Sequence, residues 1–444
     1  MRALRRTVRF IVVGSVLSTV VLALQGQADA VGTATGGTDR VSVSSTGGQG
    51  NNSPDGRLGL STDGRYVVFA SWASNLVPGD TNEAQDVFVR DRQSGTTARV
   101  SVPGAGAGAQ ANGHSADPAI SADGRYVTFR SQATNLIPGD TNATDDVFIR
   151  DRQAGTTRRV SISGTGAQAN GASQGAVAGV SANGRYIAFV STATNLVPTD
   201  TNARDDVFLR DMQTGVTRRI SVSGTGAQAN RHSYEPAISA DGRYVTFHSD
   251  ATNLVPADTN GVNDVFLRDW QSAVTRRISV SGTGAQANQQ ADTPTISADG
   301  RYIAFESYAT NLVPGDTNVG YDVFLRDWQT GVTRRISVSG TGAQANGSSL
   351  RPAISPDGRY VAFDSDAPNL VPGDTNAQGD VFVRDWQGSI TRRVSVSDTG
   401  MQGNSLSIFP AIGSGGRYVA FHSYATNLVP GDTNGFVDVF VRTT

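Results

Sequence analysis

Pro118-Ala119-Ile120-Ser121-Ala122-Asp123-Gly124-Arg125-Tyr126-Val127-Thr128-Phe129 reads as a β-hairpin. Pro118 to Ile120 is a short apolar strand, a, that ends in a tight Ser-Ala-Asp-Gly turn. Arg125 to Phe129 brings aromatic and β-branched residues suited to a half-buried pleated surface, strand b. A long loop carrying Gly139-Asp140-Thr141-Asn142 leads to Asp146-Val147-Phe148-Ile149-Arg150-Asp151, strand c. Arg152-Gln153-Ala154-Gly155 is a second tight turn, into strand d, Thr156 to Ile162. The unit is a four-stranded antiparallel sheet with two short hairpins.

The unit recurs seven times. Its turn Asp falls at Asp63, Asp123, Asn183, Asp241, Asp299 and Asp357, with Gly415 in the last copy, at spacings of 60, 60, 58, 58, 58 and 58 residues. A constant period means that each unit covers its neighbours' apolar faces. Seven four-stranded units around a channel form an all-β, seven-bladed β-propeller, which leaves few exposed edges. The chain ends in strand c of the seventh unit, at Asp438 to Arg442, so that blade lacks its strand d. Arg40-Val41-Ser42-Val43-Ser44 matches strand d sequences such as Arg219 to Ser223. The N-terminal strand 40–44 is therefore expected to complete the last blade and close the ring, which a linear solenoid would not need.

Fifty-one Gly, no Cys and no sustained helical periodicity fit a chain of turns and short strands. No Lys occurs, and Glu occurs only at positions 83, 235 and 306. Arg2, Arg5, Arg6 and Arg9, an apolar run from Phe10 to about Leu24, and Ala28-Asp29-Ala30 have the plan of a secretory signal, with cleavage expected after Ala30. The run is shorter than the ~20 residues of a spanning helix. The domain reading is signal peptide 1–30, linker 31–39 and propeller 40–444, with a secreted, extracellular location. The remainder carries 33 basic and 38 acidic residues, a net charge of minus five, without the basic footprint of a nucleic-acid binder. The expected partner is a protein or a glycan, and the expected state is a monomer.

Ser355-Pro356-Asp357-Gly358-Arg359-Tyr360-Val361-Ala362-Phe363 and Asp380-Val381-Phe382-Val383-Arg384-Asp385 resemble the TolB-like, WD-repeat-like propeller family from about residue 40 to the end. The resemblance implies the fold. The family spans transport-associated proteins, peptidase accessory domains, sugar lyases and exported proteins of other kinds. The additional α/β domain of TolB itself is not expected here.

In a propeller the a-to-b and c-to-d turns share one face, and the long b-to-c and d-to-a loops share the other, where binding usually sits. Two features on the long-loop face stand out. The first is Asp-x-Asn-x-x-x-Asp in all seven units: Asp80, Asn82, Asp86; Asp140, Asn142, Asp146; Asp200, Asn202, Asp206; Asp258, Asn260, Asp264; Asp316, Asn318, Asp322; Asp374, Asn376, Asp380; and Asp432, Asn434, Asp438. Oxygen donors at positions 1, 3 and 7 suit a hard cation such as calcium, although position 5 holds no acid. The competing reading is a turn in which Asp and Asn bond their own backbone.

The second feature is where the copies disagree. Just before strand a stand Arg57, Asp117, Ala176, Glu235, Thr293, Arg351 and Phe409. At the end of strand b stand Ala70, Arg130, Val190, His248, Glu306, Asp364 and His422, and two residues later Trp72, Gln132, Thr192, Asp250, Tyr308, Asp366 and Tyr424. These positions are expected at the channel mouth, as a ligand site of mixed charged and aromatic residues or as drift at solvated positions. His248, Glu306, Asp364 and His422 are the set that could support acid-base or metal-assisted catalysis, and they loosely resemble the channel metal site of propeller sugar lyases. Gly171-Ala172-Ser173-Gln174-Gly175 matches a nucleophile elbow without its strand-turn-helix setting, and the Gly-rich copies of Gly164 to Asn170 lack the Lys and helix of a phosphate cradle. The expected function is a secreted, non-catalytic binding module. The alternatives are a secreted carbohydrate- or peptide-active enzyme working at the channel mouth and a structural envelope or matrix protein.

Overall fold

The computed structural model describes residues 36–104 and 109–444, and the expected signal peptide lies outside them. Seven four-stranded antiparallel sheets stand in a ring. In the second blade, a is Ser115–Ile120, b is Tyr126–Ser131, c is Asp146–Asp151 and d is Thr156–Arg159, hydrogen-bonded in that order. Successive strands a lie against one another and so line the channel, and strand a of the first blade, Pro54–Leu60, meets that of the last, Ser407–Ile412. Among the described residues no helix is long and apolar enough to cross a membrane.

Closure follows the expected plan at a shifted position. The strand that completes the last blade is Thr38–Arg40, paired through Thr38–Arg442, Asp39–Val441 and Arg40–Phe440, where 40–44 was expected. Strand d likewise stops at Arg159 instead of reaching Ile162. The cause is local: the Ile162 N–H turns back to the Val160 carbonyl, and Ile162 bridges to Gln168, so the chain leaves the sheet into its own small loop. Val43 and Gln49 repeat that bridge at the N-terminus.

The repeated phrase earns its invariance through contacts between blades. Ser121 and Asp123 close the turn through side-chain hydrogen bonds, and Gly124 takes φ +74°, which a side chain rarely adopts. A Cβ there would also lie 2.1 Å from the ring of Tyr66 in the preceding blade. The same Tyr-on-Gly contact recurs around the ring to Tyr418 on Gly64, across the closure. Arg125 forks onto Asp151, which also caps the c-to-d turn, and this guanidinium holds the Asp151 carboxyl below its ordinary range. Stacked Phe129 and Phe148 fill the middle of the sheet, both fully buried.

Candidate functional site

The seven acidic loops are built around a guanidinium. In each blade the last Arg of strand d (Arg99, Arg159, Arg219, Arg277, Arg335 or Arg393, and Arg40 for the closing blade) lies between the first and last Asp of the motif, with N···O distances of 2.8 to 3.6 Å. In the second blade the Asn142 amide donates to Asp146 and to the Ala169 carbonyl, while Gln168 donates to Asp140 at 2.8 Å and to Asp146 at 3.1 Å. The Gly-rich Gln-Ala-Asn segment is thus the clamp that ties the d-to-a loop to the b-to-c loop. Burial lifts the last Asp of the motif above its ordinary value in the second to seventh blades, to about 6 at Asp264. Among the described residues no group of three or more acidic or His side chains is arranged to hold a metal ion.

The variable positions converge around the channel, in the half of strands a and b nearest the long loops. The first set lies inside strand a, where it was expected just before it. In the second blade Ala116 pairs with Arg130 and Ala119 with Thr128, so Asp117 sits in a β-bulge. Asp117, Glu235, Thr293, Arg351 and Phe409 all adopt φ between 49° and 55°, a costly conformation for β-branched Thr and bulky Phe that clusters at functional sites. The first blade has Gly56 at φ +76° and Arg57 as an extra residue beside it.

Arg57 uses the extra length to cross the channel, donating to Glu235 of the fourth blade at 2.8 Å. Around the rest of the ring, Arg130 donates to Asp117 at 2.5 Å and to Asp145 at 3.3 Å. Arg351 forks onto Asp364 at 2.8 and 2.7 Å, lies 4.7 Å over the Phe409 ring, and sends its backbone N–H to Glu306. Glu306 also accepts from the Thr293 hydroxyl at 3.0 Å. His248 lies between Glu235 and Asp292, with 4.0 Å from each ring nitrogen to the nearer carboxylate oxygen. Burial raises Glu306 to about 7 and Asp364 to about 6, lowers His422 to about 4, lowers His248 and raises Asp292. Four buried polar atoms in this belt have no hydrogen-bond partner: Glu235 Oε2, His248 Nδ1, Asp250 Oδ1 and His422 Nε2. Trp72, Tyr308 and Tyr424 form the rim, 40%, 36% and 52% exposed.

The four candidate catalytic residues share the belt without converging as a set. Glu306 and Asp364 each receive the bulge N–H of the following blade, while His248 faces Glu235 and Asp292. His422 packs edge-on to Phe409. Ser173 of the elbow-like string is buried and hydrogen-bonded to Ser191, a pair that Ser115 and Ser131 repeat, so it is a blade residue. Asp205, Tyr234, Asn263 and Asp292 also border the site, with Tyr234 donating to Asp205 and Asn263 to Asp292. A signal for two of them was present: Asp55, Ala116, Gln174, Tyr234, Asp292, Leu350 and Ile408 vary as much as the columns singled out and sit across the ladder from the strand b column. A separate cavity of about 350 Å³ lies on the short-turn face beside Met212 and Arg185, away from this belt.

Comparison with solved structures finds the same architecture under different chemistry. An oligogalacturonate lyase in complex with manganese aligns with a TM-score of 0.53 and 12% identity, over 91% of this chain and 92% of that one. The β-propeller domain of the Trilobed protease from Pyrococcus furiosus, which has an open velcro topology, gives 0.52 and 9% over 88% and 95%. TolB from Acinetobacter baumannii gives 0.39 and 18% over 69% of this chain, which spans 58% of that TolB's length. No family model and no curated protein matches the sequence. The shared property is the fold, which hosts unrelated functions.

Proposed function

We propose that the chain is a secreted, non-catalytic propeller of the TolB-like kind that binds a protein or a glycan at its channel mouth, on the long-loop face. One observation carries the reading: seven near-identical blades become unlike one another at this belt, and there buried polar atoms lack partners below a rim of exposed rings. Buried polar groups without partners are costly in a folded protein, and a ligand that supplies the partners recovers that cost. Calcium has no role in this reading, because a guanidinium stands between the carboxylates of each acidic loop. Screening glycans and envelope polymers against the full chain, then repeating with W72A and Y308A, tests the site. Affinity weaker by about tenfold or more in either variant supports the reading, and unchanged affinity removes the rim from it.

The Glu306 carboxyl favours a second reading, an enzyme acting on a carbohydrate or a peptide, because a group held at about 7 inside a channel suits a general acid. Turnover of a screened polymer that E306Q abolishes would establish this reading over the first.

A further inference from the structure

The charges around the belt are unevenly matched. In the second blade Arg130 is held by Asp117 and Asp145, and in the sixth Arg351 is held by Asp364. In the sector of the fourth and fifth blades stand Glu235, Asp250, Asp292 and Glu306; Arg57 engages the Oε1 atom of Glu235 alone, and Arg204 lies at the rim against His232, 3.4 Å away. The Oε2 atom of Glu235 and the Oδ1 atom of Asp250 are buried acceptors without donors. His248 stands among them, 8% exposed, its Nδ1 without a hydrogen bond and 4.0 Å from Glu235 Oε2. Burial favours the neutral imidazole, so His248 adds little balancing charge.

Aromatic faces complete the sector. Tyr234 packs 5.7 Å from His248, and half-exposed Tyr308 meets Tyr321 edge-on at 5.3 Å. Carboxylates beside aromatic faces suit a diffuse organic cation, which gains from the ring quadrupole as well as from charge. A metal ion fits less well, since no three-ligand group exists among the described residues.

Resting on the binding-module reading, we propose that the ligand docks through a cationic group, the guanidinium or ammonium of a basic peptide side chain, seated between the fourth and fifth blades. Glu235 Oε2 and Asp250 Oδ1 accept its hydrogen bonds, and Tyr308 covers it from the rim.

The test is titration calorimetry of the full chain with a capped hexapeptide holding one central Arg, the same peptide with citrulline in its place, spermidine, and a neutral cello-oligosaccharide. Citrulline keeps the shape and loses the charge. The expected result is binding of the Arg peptide about tenfold or more tighter than the citrulline peptide, weakened by salt. E235Q and D250N should each weaken it, whereas E83Q, an exposed change on a long loop outside the belt, should not. Since Asp250 Oδ1 has no partner to lose, D250N keeps the test meaningful if E235Q disturbs folding. Spermidine binding that E235Q and D250N weaken would support the cationic site and make a free polyamine its occupant. Equal affinity for the two peptides, or no Arg-peptide binding up to about 1 mM, overturns the inference. Oligosaccharide binding that is lost in W72A and unaffected by E235Q and D250N overturns the cation while leaving the binding module standing.

Discussion

The acidic loops and the channel belt are built from similar residues, Arg and carboxylates, and they use them in opposite ways. In the loops one plan is repeated seven times, with each Arg between two Asp and a Ser hydroxyl donating to the last Asp. In the belt no two blades agree, partners come from different blades, and several buried atoms are left unpaired. Repetition with every guanidinium ion-paired is what holding a ring together requires. Asymmetry, with partners drawn from different blades, is a feature that the common blade plan does not require.

The largest effect should come from breaking a loop. Arg335 lies 3.1 Å from Asp316 and 3.4 Å from Asp322, with all three side chains no more than 8% exposed. R335M leaves two buried carboxylates without their countercharge and should cost about 3–5 kcal/mol in urea unfolding. A loss below about 1 kcal/mol, the scale of an exposed pair, would mean that the loops do not hold the ring.

The belt should answer to pH through Glu306. Burial raises Glu306 from 4.5 to about 7, so the folded state holds its proton more tightly than the unfolded state does. Its contribution is favourable at low pH and is lost as pH rises from 4.5 through about 7. E306Q removes that dependence, so it should match the parent near pH 4.5 and exceed it above pH 7 by up to about 3 kcal/mol. Parallel stability profiles for the two proteins would show that Glu306 is ionised at no net cost, and the contrast with the loops would weaken.

A third test separates the blade framework from both regions. G300A places a Cβ 2.3 Å from the Tyr244 ring at φ +75°, whereas G315A, at φ +72°, meets nothing within 4 Å. The second should cost about 1 kcal/mol for the left-handed backbone and the first at least about twice that. Equal losses would remove the Tyr-on-Gly contact from the forces that join blades.

The fold was legible because a period is visible without any geometry: the truncated last unit and the stray strand at the front together announced ring closure. The channel columns were legible for the same reason, since seven copies expose what varies. Pairings across the ring were not. Arg57 and Glu235 are 178 residues apart, and only the curvature of the ring brings them together. The loop Arg was legible in principle, because Thr-x-Arg recurs in strand d as faithfully as Asp-x-Asn in the loop. Reading the acids alone left calcium and turn chemistry both open, because the oxygen pattern that suits a cation also suits a guanidinium supplied by the chain.

That equivalence gives the smallest expected effect. With Arg335 and its six counterparts seated, a divalent ion would have to displace a buried, paired guanidinium to reach the carboxylates. Millimolar calcium against chelator should therefore shift the melting temperature of the parent protein by less than about 1 °C. R335M changes the balance at one loop, where Asp316, Asn318 and Asp322 keep their oxygens and lose the guanidinium. In that variant calcium should raise the melting temperature, because an ion that binds only the folded loop stabilises it by mass action. A shift of several degrees in the parent would show that calcium outcompetes the internal Arg, and the acidic loops would then join the belt as a region completed from outside the chain.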